Sequence, residues 1–122
     1  MACADGSVNA QLEAWLEVHA TNGETIECLI DTGFNGSLLL PRMEATRLGL
    51  TVLGRVPIIG VGRTRAVADI AELEVEGLGE RQAIEVIISD GDDLLLGTGM
   101  LTGSRLIIDY IAHALTVSDK AS

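Results

Sequence analysis

Aromatic residues are almost missing from this chain of 122 residues: Trp15, Phe34 and Tyr110 are the whole set. Any core it builds must therefore be aliphatic. Positive charge is scarce as well, with 8 Lys and Arg against 18 Asp and Glu and a formal charge of −10. That balance argues against the basic footprint of a nucleic-acid binder and the polybasic patch of a membrane-surface protein. No apolar run approaches the ~20 residues that a bilayer-spanning helix needs. The opening Met1-Ala2-Cys3-Ala4-Asp5 lacks the basic and apolar regions of a secretory signal. Cys3 and Cys28 are too few for a disulfide framework, so a reduced, cytoplasmic protein is the expectation. The acidic residues are spread along the chain rather than gathered in a tail, which reads as a soluble surface.

What the chain does have is aliphatic alternation. Hydrophobic residues make up 48% of it, enough for one domain that buries roughly two-thirds of its unfolded surface. Residues 10–118 read as that domain, with 1–9 and 119–122 as tails. Leu12, Ala14, Leu16 and Val18 alternate with Glu13, Trp15, Glu17 and His19, the pattern of a half-buried strand. Asn22-Gly23 predicts a two-residue type I′ hairpin, which needs positive φ at both residues. The return strand runs from Thr25 to Ile30, and 37–40 form another short buried strand. Pro41 opens a helical stretch from Arg42 to Leu48 and Gly49 closes it, the usual asymmetry of proline before and glycine after a helix. Val56 to Ile59 and Thr64 to Val75 flank Gly60-Val61-Gly62 as a long hairpin. Strands at 82–88, 94–96, 105–110 and 115–118 follow, with a short helix near 98–103. Many short strands with glycine turns predict an all-β barrel or sandwich with one or two short helices.

The sharpest chemical feature is Leu29-Ile30-Asp31-Thr32-Gly33. A carboxylate at the end of an apolar strand is poorly solvated. Thr32 is placed to donate a hydrogen bond that holds the turn, and Gly33 lets another backbone approach. Alone, the tripeptide is an Asx turn of the kind found in any β protein. Its context is more specific. An apolar pair and a glycine recur at Leu95-Leu96-Gly97, and the glycine-tipped hairpin lies between the two.

This ordered set resembles the retropepsin-like aspartic proteases. The matching pieces are the Leu29–Gly33 loop, a flap Ile58-Ile59-Gly60-Val61-Gly62, and Leu95-Leu96-Gly97 before a short helix. The likeness runs over residues 10–118. The run Asp31-Thr32-Gly33-Phe34-Asn35-Gly36 is similar to a prokaryotic branch of the family. The resemblance implies a closed, all-β retropepsin-like fold and peptide-bond hydrolysis by two carboxylates that share one proton. The chain has one such Asp-Thr-Gly, so it implies a homodimer with Asp31 of each chain at a two-fold axis. Thr32 then braces the pair across the axis, and Gly33 offers its carbonyl to a peptide or protein substrate. Gly60, Val61 and Gly62 become the tip of a flap that covers the substrate as an added strand. Ile59, Leu95 and Asn35 join the substrate-binding positions. No metal and no cofactor are implied.

Two departures from the family pattern stand out. Retroviral members usually carry Asp where Asn35 sits and Arg where Thr98 follows Gly97, as an ion pair near the dimer interface. Both positions are neutral here. Losing both charges leaves no unpaired partner, so this reads as a changed interface, with the 105–118 hairpin or the N-terminal strand as its substitute. Phe34 replaces a small residue and is expected to pack.

Other motifs carry less. Gly97-Thr98-Gly99-Met100-Leu101-Thr102-Gly103 has its third glycine one place late for a dinucleotide loop. Asp90-Gly91-Asp92-Asp93 lacks the acidic spacing of an EF-hand and reads as a solvated turn; the family resemblance implies in addition that Asp93 lies near a pocket rim and favours a basic substrate side chain. His19 and His113 have no partners at metal-ligand spacing. Cys28 falls on the face opposite Asp31 and reads as core. Trp15 is either a partner contact or a surface aromatic. A catalytically silent dimer that binds peptides in the same groove is the alternative to an enzyme, as is a protein that cleaves only itself or one partner.

Overall fold

The computed structural model describes residues 3–59, 65–77 and 80–119. Within them the chain forms β1 (Cys3–Val8), β2 (Ala14–Ala20), β3 (Thr25–Ile30), β4 (Leu38–Pro41) and α1 (Arg42–Arg47). Then come β5 (Gly54–Ile59), β6 (Arg65–Gly77), β7 (Glu80–Ser89) and β8 (Leu95–Leu96). The last elements are α2 (Thr98–Leu101), β9 (Ser104–Asp109) and β10 (Ala114–Asp119).

Alternation is what turns these segments into one sheet. In β2 the residues Ala14, Leu16, Val18 and Ala20 are buried while Glu17 and His19 are exposed. In β3 it is Ile26 and Cys28 that are buried. The strand order is β5-β6-β7-β4-β8-β3-β2-β1-β10-β9, and β6 also pairs with β2 at His19↔Glu76 and Ala20↔Val75. That extra pairing closes a ring of six strands, β6-β7-β4-β8-β3-β2. The ring encloses an aliphatic core of Ile26, Leu38, Leu40, Val75, Val86 and Leu96, as the shortage of aromatics requires. Most pairs are antiparallel. The two parallel ones, β3 with β8 and β4 with β7, flank the antiparallel β4–β8 pair.

Three local details differ from the sequence reading. Residues 3–8 are not a tail: β1 pairs with β10 from Cys3↔Ser118 to Ser7↔Ala114, and with β2 at Ser7↔Trp15 and Val8↔Ala14. The segment is too polar to announce itself by pattern, and its partners hold it. Leu12 lies outside β2, exposed and with φ 63. There Asn9 organises a turn whose Oδ1 accepts from the N–H groups of Gln11 and Glu13. Third, positive φ in the 21–24 turn falls on Gly23 alone, at 91°. Gly23 N–H donates to Ala20 C=O and Ala20 N–H to Glu24 C=O, a three-residue loop closed by a left-handed glycine instead of a type I′ turn.

The helix over 42–47 forms as expected, with extended Pro41 at its start. At its end Gly49 N–H donates to Thr46 C=O and Leu50 N–H to Ala45 C=O, a Schellman closure. Its first residue ties it to the neighbouring hairpin. Arg42 Nη1 donates to Asp69 Oδ2 at 2.9 Å and Nε to Asp90 Oδ1 at 3.2 Å, while Arg55 Nε reaches Asp69 Oδ1 at 3.3 Å. Among the described residues, no helix is long and apolar enough to cross a membrane.

Candidate functional site

Asp31 sits where β3 stops. Its neighbours keep strand pairing on one side: Leu29 N–H donates to Leu94 C=O, and Asp31 N–H to Leu96 C=O at 3.0 Å. The chain then turns sharply. Phe34 N–H donates to Asp31 C=O, and Gly33 N–H donates to the side-chain Oδ1 of Asp31 at 2.9 Å. The carboxylate is therefore fixed by its own loop, with one oxygen held by a backbone amide and the side chain partly buried. The bonds that hold the turn come from these amides. Thr32 is exposed, in place of the bracing role that the turn itself suggested for its hydroxyl.

The loop lies on a floor made by the segment after β8. Gly97 N–H donates to Ser37 C=O, Thr98 N–H to Phe34 C=O at 2.8 Å, and Gly99 N–H to Gly36 C=O. Thr98 Oγ1 also reaches Phe34 C=O, at 3.4 Å. These four contacts need the two backbones almost touching. A Cβ on Gly97 would run into the carbonyl oxygens of both Gly36 and Phe34, and one on Gly99 would lie 2.9 Å from the Gly36 carbonyl. The Phe34 ring occupies the space left by Gly36 and Gly97, so it packs, as expected.

This floor explains residues that the sequence reading undervalued. The glycines of Gly97-Thr98-Gly99 were notable only as a poor dinucleotide loop, yet their function is close approach. The available signal was their position straight after an apolar pair. Thr98 spans to Phe34 where an ion pair with residue 35 was absent from the sequence, and Asn35 is exposed.

The remaining site positions distribute as follows. Leu95 is partly exposed at the centre of three strands, opposite Leu29 and Leu39. Ile59 ends β5 opposite Arg65. Gly60, Val61 and Gly62 lie outside the described residues, although the β5–β6 hairpin that would carry them is formed from Gly54↔Ile70 to Ile59↔Arg65. Asp93 is exposed. Cys28 has no exposed surface, and burial, reinforced by Glu44 and Glu27, pushes its thiol up to about 12. It is a core residue with no nucleophilic use. His19 faces Glu17 at 3.3 Å on the surface, and His113 Nδ1 lies 3.2 Å from Val8 C=O. Among the described residues, no cluster of three or more His, Cys, Asp or Glu is placed to hold a metal ion.

Chemically the loop presents one oriented carboxylate. Among the described residues, no second carboxylate is hydrogen-bonded to it. A groove of about 940 Å³ adjoins the floor, lined by residues such as Leu16, His19, Leu96, Gly99 and Met100, with Asp31 outside its lining. Asp31 itself is partly buried.

No family profile matches the sequence, and no curated protein matches it. Solved structures do match in shape. A retropepsin-like aspartic protease from Rickettsia conorii aligns with TM-score 0.68 and 20% identity, over 94% of this chain and 89% of that one. The protease of EIAV, solved with an inhibitor, aligns with TM-score 0.62 and 20% identity, over 77% of this chain and 89% of that one. The simian foamy virus (mac) protease aligns with TM-score 0.52 and 19% identity, over 72% and 91%. The fold of this chain is retropepsin-like and all-β.

Proposed function

We propose that the chain is an aspartic endopeptidase that works as a homodimer and hydrolyses peptide bonds in a peptide or protein substrate. The observation that carries this reading is the Asp31 loop. It holds a carboxylate oxygen 2.9 Å from the Gly33 amide and rests on the Gly97–Gly99 floor, within a fold whose solved examples are aspartic proteases.

The chemistry follows from placing two such loops face to face. Two carboxylates that close cannot both ionise, so they hold one proton between them. The ionised one takes a proton from water, whose oxygen attacks the scissile carbonyl carbon. The protonated one donates to the carbonyl oxygen, giving a neutral tetrahedral diol. Collapse of the diol returns a proton to the leaving amine and breaks the C–N bond. One chain supplies one carboxylate, so a monomer has no partner for this exchange.

The other residues take supporting roles. Exposed Thr32 is free to meet the second chain. Gly33 offers its carbonyl to the substrate backbone. Ile59, Gly60, Val61 and Gly62 form the flap that covers the peptide, and Leu95 and Asn35 line the groove. Cleavage of a diverse peptide library from pH 4 to 7, with wild type beside Asp31→Asn, tests the reading. Cleavage by wild type alone, falling faster than linearly on dilution, is expected. Equal cleavage by both proteins would remove Asp31 from the chemistry. Peptide binding without cleavage by either would make the chain a silent binding module.

A further inference from the structure

The Asp31 loop leaves the ring at the end of β3 and rejoins it at β4. Its bonds to the floor all end on backbone carbonyls of the loop, those of Phe34, Gly36 and Ser37. Phe34 is the residue on which the turn and the floor meet. Its N–H donates to Asp31 C=O at 3.1 Å, which closes the turn, and its C=O accepts from Thr98 N–H at 2.8 Å, which seats it. Asn35 and Thr98 carry no charge, so no ion pair between these positions reinforces the bonds.

The Phe34 side chain adds a fixed shape. It is one of three aromatic side chains in the molecule and is partly buried. The ring lies across two glycines. A Cβ on Gly36 would stand 2.5 Å from Cζ, 2.8 Å from Cε1 and 3.4 Å from Cε2 of the ring, and one on Gly97 would stand 2.6 Å from Cδ2. The two glycines differ in what else requires them. At Gly97 the carbonyl oxygens of Gly36 and Phe34 also exclude a side chain. At Gly36, beyond the chain neighbours, the three nearest atoms all belong to the ring, and φ is not in the left-handed region. That φ sets no demand for glycine. The ring does.

From the ring the constraint reaches the carboxylate by a short path. Asp31 C=O and Phe34 N–H close a four-residue turn. Inside it Gly33 N–H donates to Asp31 Oδ1 at 2.9 Å. A ring that cannot slide off Gly36 and Gly97 holds Phe34, Phe34 holds the turn, and the turn aims the Gly33 amide at one carboxylate oxygen. An amide bond to a carboxylate is charge-assisted and depends on direction. Displacing the ring therefore turns Oδ1 out of place even where the chain stays folded.

We propose that Phe34 is a positioning residue for Asp31. Its ring, seated on Gly36 and Gly97, sets the direction of the carboxylate through the Gly33 amide, and position 36 is glycine to make room for that ring. The effect on cleavage rests on the protease reading; the effect on the Gly33 amide does not.

The experiment is a double-mutant cycle of Phe34→Ala and Gly36→Ala in the full chain, with circular dichroism to confirm folding and every assay run well below the melting point. One readout is the Gly33 amide, followed by NMR in protein carrying isotope-labelled glycine. Its proton signal should move as the Asp31 carboxyl titrates, and it is the glycine signal whose movement Asp31→Asn abolishes. The other readout is peptide cleavage, as kcat, KM and pH profile, with protein concentration varied so that a lost dimer is not taken for a moved carboxylate. Each single variant should shrink the Gly33 movement and lower kcat about 10- to 100-fold, with KM within about 2-fold and the pH profile displaced. The two changes should not add. With Phe34→Ala in place, Gly36→Ala should cost less than about 2-fold more, a coupling of about 10-fold or greater, as for residues in contact. Phe34→Leu, which keeps an apolar branch over the glycines, should keep part of both signals. If Gly36→Ala alone does not fold, the double variant should. Additive losses, a Gly36→Ala variant that behaves as wild type, or a double variant that is also unfolded would overturn the positioning role. So would variants that melt earlier but keep the Gly33 movement, kcat and pH profile, which is what a ring that only packs would give. Any of these, with wild type still cleaving and Asp31→Asn inert, would leave the protease reading standing. Coupled loss of the Gly33 movement in a chain that cleaves nothing would keep the positioning role and sink the protease reading.

Discussion

Replacing Gly97 by alanine adds one methyl group and should cost more than removing a large side chain from most positions. The added Cβ meets the carbonyl oxygens of Gly36 and Phe34 and the Phe34 ring. Two of these obstacles are backbone, which cannot rotate away. The loop must lift off, and three N–H···O=C bonds hold it down: Gly97 to Ser37, Thr98 to Phe34 and Gly99 to Gly36. Overpacking costs about 1–3 kcal/mol, and each lost hydrogen bond adds about 1 kcal/mol. If the loop gives up one or two of the three bonds, the total is about 2–5 kcal/mol. A domain of this size has about 6–18 kcal/mol in all, so the variant folds but melts about 10 °C lower. Gly54→Ala is the matched control. There the nearest atom to a new Cβ is Ile70 Cγ1 at 3.9 Å, ordinary contact, so the smaller unfolded-state entropy should leave stability unchanged or higher by about 0.4–1 kcal/mol. Urea unfolding of the two variants beside wild type, at one protein concentration, separates the cases. Peptide cleavage by Gly97→Ala should also fall, at temperatures where it is still folded, because the Asp31 loop has moved. If the two alanine variants unfold within about 1 kcal/mol of each other, the close approach of the two backbones is not what requires glycine at position 97.

Other expectations are independent of that one. Leu96 is 1% exposed, so Leu96→Ala should destabilise by about 2–5 kcal/mol. Its partly exposed neighbour Leu95 should cost less and instead change which side chains are tolerated near the cut, read from cleavage-site profiles of Leu95→Ala. Cys28 binds its proton more tightly folded than unfolded, since burial moves its thiol from 9.0 to about 12. Stability from this site is whole below pH 9 and falls by about 1.4 kcal/mol per pH unit above it, until the folded thiol titrates. The difference in unfolding free energy between wild type and Cys28→Ala, followed from pH 8 to 11, should show that slope, and a flat difference would contradict it. Under native conditions a thiol reagent should modify exposed Cys3 alone, with Cys28 reacting only in denaturant; rapid double labelling would mean that β3 opens.

Much of this fold was legible because aliphatic alternation is a strong signal when aromatics are scarce. The inward residues of β2 and β3, the helix between Pro41 and Gly49, and the apolar strand ending at Gly97 could all be read from one sequence. What was not legible depended on partners distant in the chain. The segment Cys3–Val8 has little pattern of its own and is a strand because β10 lies beside it. Asn22-Gly23 marks a turn in any reading, but only the assembled hairpin fixes that Gly23 alone takes positive φ. At the site, Asp31 was visible through its motif. The Gly97–Gly99 floor was not, because a glycine needed for close approach looks the same in sequence as one needed for a turn. The flap glycines fall outside the described residues, and nothing of their sequence reading is altered.

The strand registers set the β5–β6 hairpin apart from the closed ring that holds the Asp31 loop. Along β6, residues 69–77 pair with β7, whereas residues 65–68 pair with β5 only. The hairpin that leads to Gly60 is therefore a cantilever whose root is the Asp69–Ile70 step. At that root Asp69 lies opposite both Arg55 and Ile88 and receives Arg42 of α1 at 2.9 Å. Beyond it, bending the hairpin breaks no pairing of the closed ring. The opposite holds for the Asp31 loop, which is fastened through β3 and β8 to the ring and through Gly97 to the segment entering β9. On the protease reading proposed above, a hairpin that covers a peptide would open without disturbing the carboxylate, because each is anchored to a different part of the sheet.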